Sequence, residues 1–240
     1  MMGRSHLIIS TGLSLSAVSI FDVALSLPMM AIAVVSSLLP DIDEPNSLLL
    51  SKTLPKRFIQ GIQITGLLIA ALIFLLQPME ALWNNIIVGA TLLVSVRPIG
   101  SLRNILIIVI GGLLFWAAPS ENGIWFYVIG ATLIVCALAP HRGITHSAYG
   151  LLGWTAILYF ATFGYGDEIW IVGSLSYLLH LIADSITNRG IRPLPPFQFR
   201  IRLRLMSTGT FKGHLVEQGF IVITLATVIM MFFIGKITFM

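Results

Sequence analysis

The chain has 240 residues, of which 57% are hydrophobic and only 10% are charged. Soluble domains carry roughly 25% charged residues, so this composition excludes an ordinary water-soluble fold. The formal net charge is +4, and the single cysteine, Cys136, excludes an intrachain disulfide framework and a cysteine-based zinc site. Any bound metal would therefore be held by nitrogen and oxygen ligands.

Long apolar segments follow one another along almost the whole chain. A membrane-spanning helix needs about 20 mostly apolar residues, and several of these segments approach that length. They predict an all-α fold, a polytopic transmembrane bundle of about nine hydrophobic helices forming one integral-membrane domain over residues 1–240. The predicted helices are 7–21, 23–39, 58–77, 83–96, 104–118, 124–139, 147–163, 169–187 and 215–235.

The basic residues are distributed unevenly between the connecting segments. If all nine helices span the membrane, thirteen of the fourteen Lys and Arg residues fall on one side. The positive-inside rule assigns that side to the cytoplasm. We therefore expect a protein of the cytoplasmic (inner) membrane. The same topology brings the Asp and His residues discussed next to that face.

The first pair of candidate ligands, Asp41 and Asp43, follows Pro40 at the end of the second predicted helix. Neighbouring carboxylates repel each other and raise each other's pKa unless a cation lies between them. A helix end in a solvated loop explains the same two residues equally well. The Asp-x-Asp pattern alone is therefore a weak indication of a metal.

A more specific stretch lies between the sixth and seventh predicted helices. It places His141 and His146 five positions apart, with Arg142, Gly143 and Thr145 between them. Two imidazoles can ligate one metal, and a guanidinium is shaped to bind phosphate or carboxylate oxygens. Gly143 permits a tight bend that turns both rings toward one point.

His180 and Asp184 lie four positions apart in the eighth predicted helix. This spacing puts both side chains on one helix face, where they can share a metal or form a ligand with its orienting carboxylate. A His–Asp hydrogen bond between packed helices is an equally good explanation. His6 and Glu217, at the starts of the first and ninth helices, are weaker candidates, because either can serve as a cap or an interfacial residue.

The longest loop, 188–214, is basic and rich in proline. Residues 199–205 alternate apolar and arginine side chains, the period of an amphipathic strand or hairpin. One face would rest on the membrane surface while the arginines meet anionic head groups. The alternative is an ordinary cytoplasmic loop that carries its charges because of the positive-inside rule.

Taken together, these motifs resemble the YdjM-type family, described as LexA-regulated, membrane-bound, metal-dependent hydrolases. The matching pieces are His6 before an apolar run, Leu-Leu-Pro-Asp-Ile-Asp-Glu-Pro-Asn-Ser (38–47), His-Arg-Gly-Ile-Thr-His-Ser (141–147), Tyr-x-x-His-x-x-x-Asp-x-x-Thr-x-x-Gly (177–190) and Lys-Gly-x-x-x-Glu (212–217). The family is distantly similar to zinc phospholipases C and P1-type nucleases, which hold several metals with scattered His and Asp residues. An apparent insertion, 59–137, adds hydrophobic helices without ligand candidates.

The resemblance implies a phospholipase C/P1 nuclease-like metal site at the cytoplasmic face, with two or three divalent ions. Zinc is the expected metal and manganese the alternative, because carboxylates accept either. The expected ligands are His6, Asp41, Asp43, His141, His146, His180, Asp184 and Glu217. The expected catalytic residues are Asp43 as general base, Arg142 as a clamp on a phosphate oxygen, and Thr145.

We therefore expect a hydrolase in which metal-activated water attacks a phosphoester of a lipid or a lipid-linked molecule. The expected partners are membrane lipids and this phosphorylated substrate, and no nucleic acid. Residues expected to bind the head group are Arg142, Arg189, Arg200, Arg202 and Arg204. The alternatives are a metal or proton transporter, whose site would lie nearer the bilayer midplane, and a metal-stabilised scaffold without turnover.

Overall fold

Helices account for almost all regular structure in the computed structural model, which describes residues 1–44, 47–118, 124–138 and 143–239. The α-helices are α1 (Gly3–Ser19), α2 (Leu27–Leu38), α3 (Leu48–Thr53), α4 (Lys56–Leu76), α5 (Ala81–Ser95), α6 (Ile99–Ala117), α7 (Ile124–Leu138), α8 (Ala148–Thr162), α9 (Asp167–Ser185) and α10 (Phe211–Phe233). Two 3₁₀ turns, Leu39–Asp43 and Ile144–His146, precede α3 and α8. Within these ranges β-pairing is limited to isolated bridges, which confirms the all-α class.

The prediction that about nine helices span the membrane is wrong. Among the described residues, three helices are long and apolar enough to cross a membrane, namely α4, α6 and α10. Helices α5, α7 and α8 have 15 residues each, and 15 residues extend only about 22 Å, against a hydrocarbon core of about 30 Å. Helix α9 is longer, but Glu168, His180 and Asp184 reduce its hydropathy.

The chain divides into two compact units, which are described separately. One unit comprises Glu44–Leu138 and holds α3 to α7. In it α4 packs against α5, and α6 packs against α7. Much of the apolar surface of α4 is exposed, including Leu68 and Leu75, as expected of a helix that faces lipid.

Glycine determines how closely α6 and α7 approach each other. A Cβ atom added to Gly111 would lie 2.8 Å from the Gly130 carbonyl oxygen, and one added to Gly130 would lie 2.6 Å from the Gly111 carbonyl oxygen. Small residues at such crossings allow the two backbones to make direct contact, which is a main source of helix association in membranes. Gly111 and Gly130 therefore form the contact that defines this helix pair.

The other unit comprises Met1–Asp43 and Ala139–Met240, and α9 lies at its centre. Helix α9 packs against α1, α2 and α8, and α1 packs in addition against α10. One core cluster joins Val18, Met29, Ala33 and Val172 near the start of α9. A second cluster contains Ile9, Ala183 and Met206, so the loop after α9 is fixed to the C-terminal half of this helix.

The predicted strand or hairpin over 199–205 is not formed as a regular element. Ile201 makes an isolated antiparallel bridge with Ile191. Further along, the backbone N–H groups of Leu203 and Leu205 donate to the carbonyls of Ser185 and Ile186 at 2.8 and 3.0 Å. These carbonyls at the end of α9 otherwise lack helical partners. The segment thus caps α9 instead of pairing with a second strand.

We expect Gly111→Ala to weaken the α6–α7 pair, because the added methyl group would press on the Gly130 backbone. Overpacking of this kind costs about 1–3 kcal/mol, and the thermal unfolding midpoint in detergent should fall by several degrees. Gly112→Ala is the matched control, since a Cβ there meets nothing within 4 Å. Equal midpoints for the two variants would contradict the close helix contact.

Candidate metal centre

Five of the eight predicted metal ligands meet in one cluster within the unit built around α9. They form two overlapping groups whose ligand atoms lie within 4.8 Å of one another, one of His6, His180 and Asp184 and the other of Asp41, His146 and His180. These five side chains come from four separate parts of the chain, two of them helices and two of them turns. This convergence of distant parts of the chain agrees with the side chains that the sequence singles out.

Local structure explains how each side chain reaches the cluster. His180 and Asp184 lie one turn apart on α9, and His6 lies in the first turns of α1. Asp41 is in the 3₁₀ turn that continues α2. His146 ends the second 3₁₀ turn, immediately before Ser147 caps α8 by accepting a hydrogen bond from the Gly150 backbone N–H.

The orientation of His180 is fixed by a backbone carbonyl. Its Nδ1 lies 2.7 Å from the Ser37 carbonyl oxygen, and a carbonyl can only accept, so Nδ1 carries the hydrogen. In neutral His180 the lone pair is then on Nε2, which lies 3.7 Å from Asp41 Oδ1 and 3.9 Å from Asp184 Oδ2. This Nε2 is buried and has no hydrogen-bond partner among the residues that the structure describes.

His146 is held from behind by Thr145 and Asp43. The Thr145 hydroxyl donates to Asp43 Oδ2 at 2.6 Å, which uses its only hydrogen. Thr145 Oγ1 therefore accepts from Nδ1 of His146, 3.2 Å away. The opposite ring nitrogen, Nε2, lies 3.3 Å from both Asp41 Oδ1 and Asp184 Oδ2.

His6 completes the cluster from the side of α1. Its ring stacks on that of His180, with centroids 3.9 Å apart. Its Nε2 lies 3.3 Å from Asp184 Oδ1. The two Asp184 oxygens therefore face different imidazoles, Oδ1 facing His6 and Oδ2 facing His146.

The arrangement fits a divalent metal. Ligands about 2.0–2.2 Å from a tetrahedral zinc ion are separated from one another by about 3.3–3.5 Å, and the three closest N–O distances in the cluster are 3.3 Å. A buried imidazole lone pair aimed at two carboxylates is unfavourable unless a cation lies among them. Nitrogen and carboxylate oxygen together suit zinc or manganese.

When no metal is bound, a proton on His146 supplies part of the positive charge next to the carboxylates. Burial by itself would raise the pKa of Asp41, but the hydrogen bond from His146 and the nearby His180 and His6 outweigh it and hold this pKa well below its usual range. Burial would lower the pKa of His146, but hydrogen bonds to Asp184 and Asp41 raise it to about 9. Metal binding must therefore displace a proton from His146.

The other predicted ligands have different surroundings. Asp43 Oδ2 lies 4.0 Å from His146 Nδ1, on the far side of the ring from the cluster. Buried Glu217 accepts the Met2 backbone N–H at 2.8 Å and the Ser5 hydroxyl at 3.4 Å, and so holds the start of α1. His141 and Arg142 lie outside the described residues. Arg189, Arg200, Arg202 and Arg204 are exposed on the loop after α9.

Two supporting contacts were not anticipated from the sequence. The Tyr177 hydroxyl donates to the Thr145 carbonyl, and Tyr177 lies three positions before His180, a spacing that places it on nearly the same face of α9. This spacing indicates from the sequence alone that Tyr177 lies near His180. The Ser37 carbonyl that orients His180 is a backbone group, and no side-chain pattern indicates it.

We expect Thr145→Val to lower metal affinity by about 10- to 100-fold, because orienting partners of metal-bound histidines contribute on this scale. Thr145→Ser keeps the hydroxyl and should bind metal nearly as well as the parent protein. Competition titration with a metal-sensitive dye measures both. Equal affinities for Val and Ser would show that the Asp43–Thr145–His146 contacts do not orient the ring.

The raised pKa of His146 gives metal binding a defined pH dependence. Below about pH 9 the bound proton competes with the metal, so affinity should rise about tenfold for each pH unit between pH 6 and 8. Calorimetry in buffers of different ionisation enthalpy should detect release of about one proton per ion at pH 7. An affinity independent of pH in this range would contradict protonation of His146.

A family model described as YdjM inner membrane protein matches residues 1–239. A search of curated proteins and a search of solved structures each found no match. The family match extends over nearly the whole chain and includes every residue of the cluster. The chain therefore belongs to the YdjM inner membrane protein family.

Proposed function

We propose that the chain is a membrane-embedded, metal-dependent hydrolase that cleaves a phosphoester of a lipid or lipid-linked molecule. The observation that carries this proposal is the buried Nε2 of His180, which has no hydrogen-bond partner within the described part of the chain and faces the carboxylates of Asp41 and Asp184. The motif resemblance to metal-dependent hydrolases supports the reaction class.

The arrangement favours two ions over one. The Nε2 of His180 has one lone pair and binds one ion only, although it belongs to both ligand groups. The Asp184 carboxylate directs one oxygen to His6 and the other to His146, so each oxygen could help to hold an ion together with a different imidazole. His6 and Asp41 would then each belong to a different ion. Zinc is the proposed metal.

A divalent ion at this site supplies water of lowered pKa and positive charge for the developing oxyanion. The exposure of the side chains indicates from which side the cluster can be reached. The Asp41 side chain is 19% exposed, whereas those of His6, His146, His180 and Asp184 are at most 2% exposed. Asp41 therefore marks the open side, from which substrate would approach.

The contacts change the proposed roles of three residues. A general base must come within hydrogen-bond reach of the attacking water, but the Asp43 side chain is fully buried and accepts the Thr145 hydroxyl. We therefore propose that Asp43 and Thr145 position the His146 ring. Glu217 fixes the start of α1, and through it the position of His6.

Metal transport is the second candidate, because buried hydroxyls continue from the cluster along α1. Ser10 and Ser14 follow His6 at intervals of four residues and are fully buried, and the structure describes no hydrogen-bond partner for the Ser10 hydroxyl in the ranges that it covers. Hydroxyls on one face of a membrane helix can serve an ion path or close helix packing. A flux assay separates these possibilities from catalysis.

The decisive variant is His180→Ala. We expect it to retain less than a tenth of the bound zinc and to lose phosphoester hydrolysis by at least a hundredfold, the scale expected when metal-supplied catalysis is removed. His214→Ala is the matched control, since His214 lies exposed on α10. Elemental analysis of the purified protein and assays on phosphatidic acid and an aryl phosphodiester measure both effects.

Each contrary result would lead to a different conclusion about the site. Full zinc content in His180→Ala would overturn the site assignment. Transport would be favoured by three results together. The variant would lose its zinc, the parent protein would show no hydrolysis, and zinc flux into proteoliposomes would require His180. Circular dichroism of both variants establishes that they remain helical.

A further inference from the structure

The loop between α9 and α10 presents a surface that the metal centre does not use. We name residues 197–205 the arginine segment. Its arginines, Arg200, Arg202 and Arg204, are exposed, and so are the apolar side chains that alternate with them. The exposed fractions of Phe197, Phe199, Ile201, Leu203 and Leu205 lie between 41% and 67%.

The exposure does not arise from a loosely held backbone. Ile191 and Ile201 exchange two backbone hydrogen bonds of 3.0 Å. Gly190 has a φ of +64°, and a Cβ atom there would collide with the Ile201 carbonyl oxygen, so glycine is needed for this approach. Met206, directly after the segment, is buried in the core with Ile9 and Ala183. The chain is therefore fixed while its large side chains remain uncovered.

The charges of this region are of one sign. Residues 185–216 contain five arginines and one lysine but no Asp or Glu. In the part of the chain that the structure describes, Arg200, Arg202 and Arg204 form no ion pair. Among the described residues of this unit, these three guanidinium groups therefore have no counter-charge.

Position along the chain indicates what covers this surface. The segment ends six positions before Phe211, where the candidate membrane helix α10 begins. It therefore lies close to the level at which the chain enters the bilayer. At that level apolar side chains can enter the acyl boundary while arginines remain among phosphate groups. Neither water alone nor the hydrocarbon core accommodates both types of side chain.

We propose that the arginine segment is a binding surface for anionic phospholipids. Arginines at the cytoplasmic leaflet attract negatively charged head groups, and a planar guanidinium can bind phosphate oxygens in a bidentate manner. The hydrogen bonds from Leu203 and Leu205 to the end of α9 place this surface next to Asp184. If the proposed function holds, the surface gathers anionic phospholipid substrate beside the metal centre.

The test measures lipid binding directly on the full-length protein in neutral detergent. Phosphatidylglycerol and phosphatidylcholine are titrated separately, and native mass spectrometry counts the bound lipids. The parent protein should prefer phosphatidylglycerol. Arg200→Gln/Arg202→Gln/Arg204→Gln should weaken phosphatidylglycerol binding by about a hundredfold, from about fivefold for each arginine, and should leave phosphatidylcholine binding unchanged.

Two matched variants keep the result interpretable. Lys52→Gln/Lys56→Gln/Arg57→Gln removes three exposed charges from the other unit and should preserve the preference. Arg200→Lys/Arg202→Lys/Arg204→Lys keeps the charges and should lose less than tenfold. An unchanged preference in the Gln variant of the segment, or an equal loss in the Lys52/Lys56/Arg57 variant, would overturn the proposal. So would displacement of phosphatidylglycerol by a short oligonucleotide at lower concentration.

Zinc content, measured in every variant, separates this proposal from the proposed function. Loss of lipid preference with full zinc content supports the lipid surface independently of catalysis. Zinc loss in the Gln variant would show that the substitutions disturb the metal centre. The Lys variant, with zinc retained, then decides whether charge at the segment determines lipid preference.

Discussion

One buried and one partly exposed carboxylate share a small volume between helices with three buried imidazoles, and their electrostatics require a positive charge. Asp41 and Asp184 both direct oxygens to this volume, and His180 directs a lone pair to it because the Ser37 carbonyl occupies its other nitrogen. Without a cation these groups repel one another in a region of low dielectric constant. A metal bound here would therefore contribute both to the stability of this unit and to its proposed chemistry.

The same cluster explains the organisation of its unit. Helix α9 supplies two side chains of the cluster, and the other three come from α1, the turn after α2 and the turn before α8. Contacts with neighbouring side chains fix the directions of these groups. Thr145 and Asp43 orient His146, and Glu217 holds the start of α1. Such outer contacts are typical of sites in which ring orientation matters. The unit Glu44–Leu138 supplies none of the clustered ligands.

The sequence predicted some of these features well, and the reasons are physical. The pairing of His180 with Asp184 follows from helical spacing alone, and the start and end of each apolar run give the helices to within a few residues. The spacing of Asp41 and Asp43 indicates that the two side chains point in different directions. It does not indicate which of them faces the cluster, so the contact of Asp43 with Thr145 was not predictable. The number of spans was overestimated, because hydropathy identifies apolar helices but 15-residue helices are shorter than the bilayer core.

The hydrogen bond between Glu217 and Met2 has a consequence for biosynthesis. The two residues are 215 positions apart, and synthesis proceeds from the amino end. The part of the chain that carries His6 is therefore synthesised long before Asp184 and Glu217. The ligand set and the contact that fixes its first member are completed only when α10 is in place. A metal bound by the cluster would thus distinguish completed chains from partly synthesised ones, which lack α9 or α10.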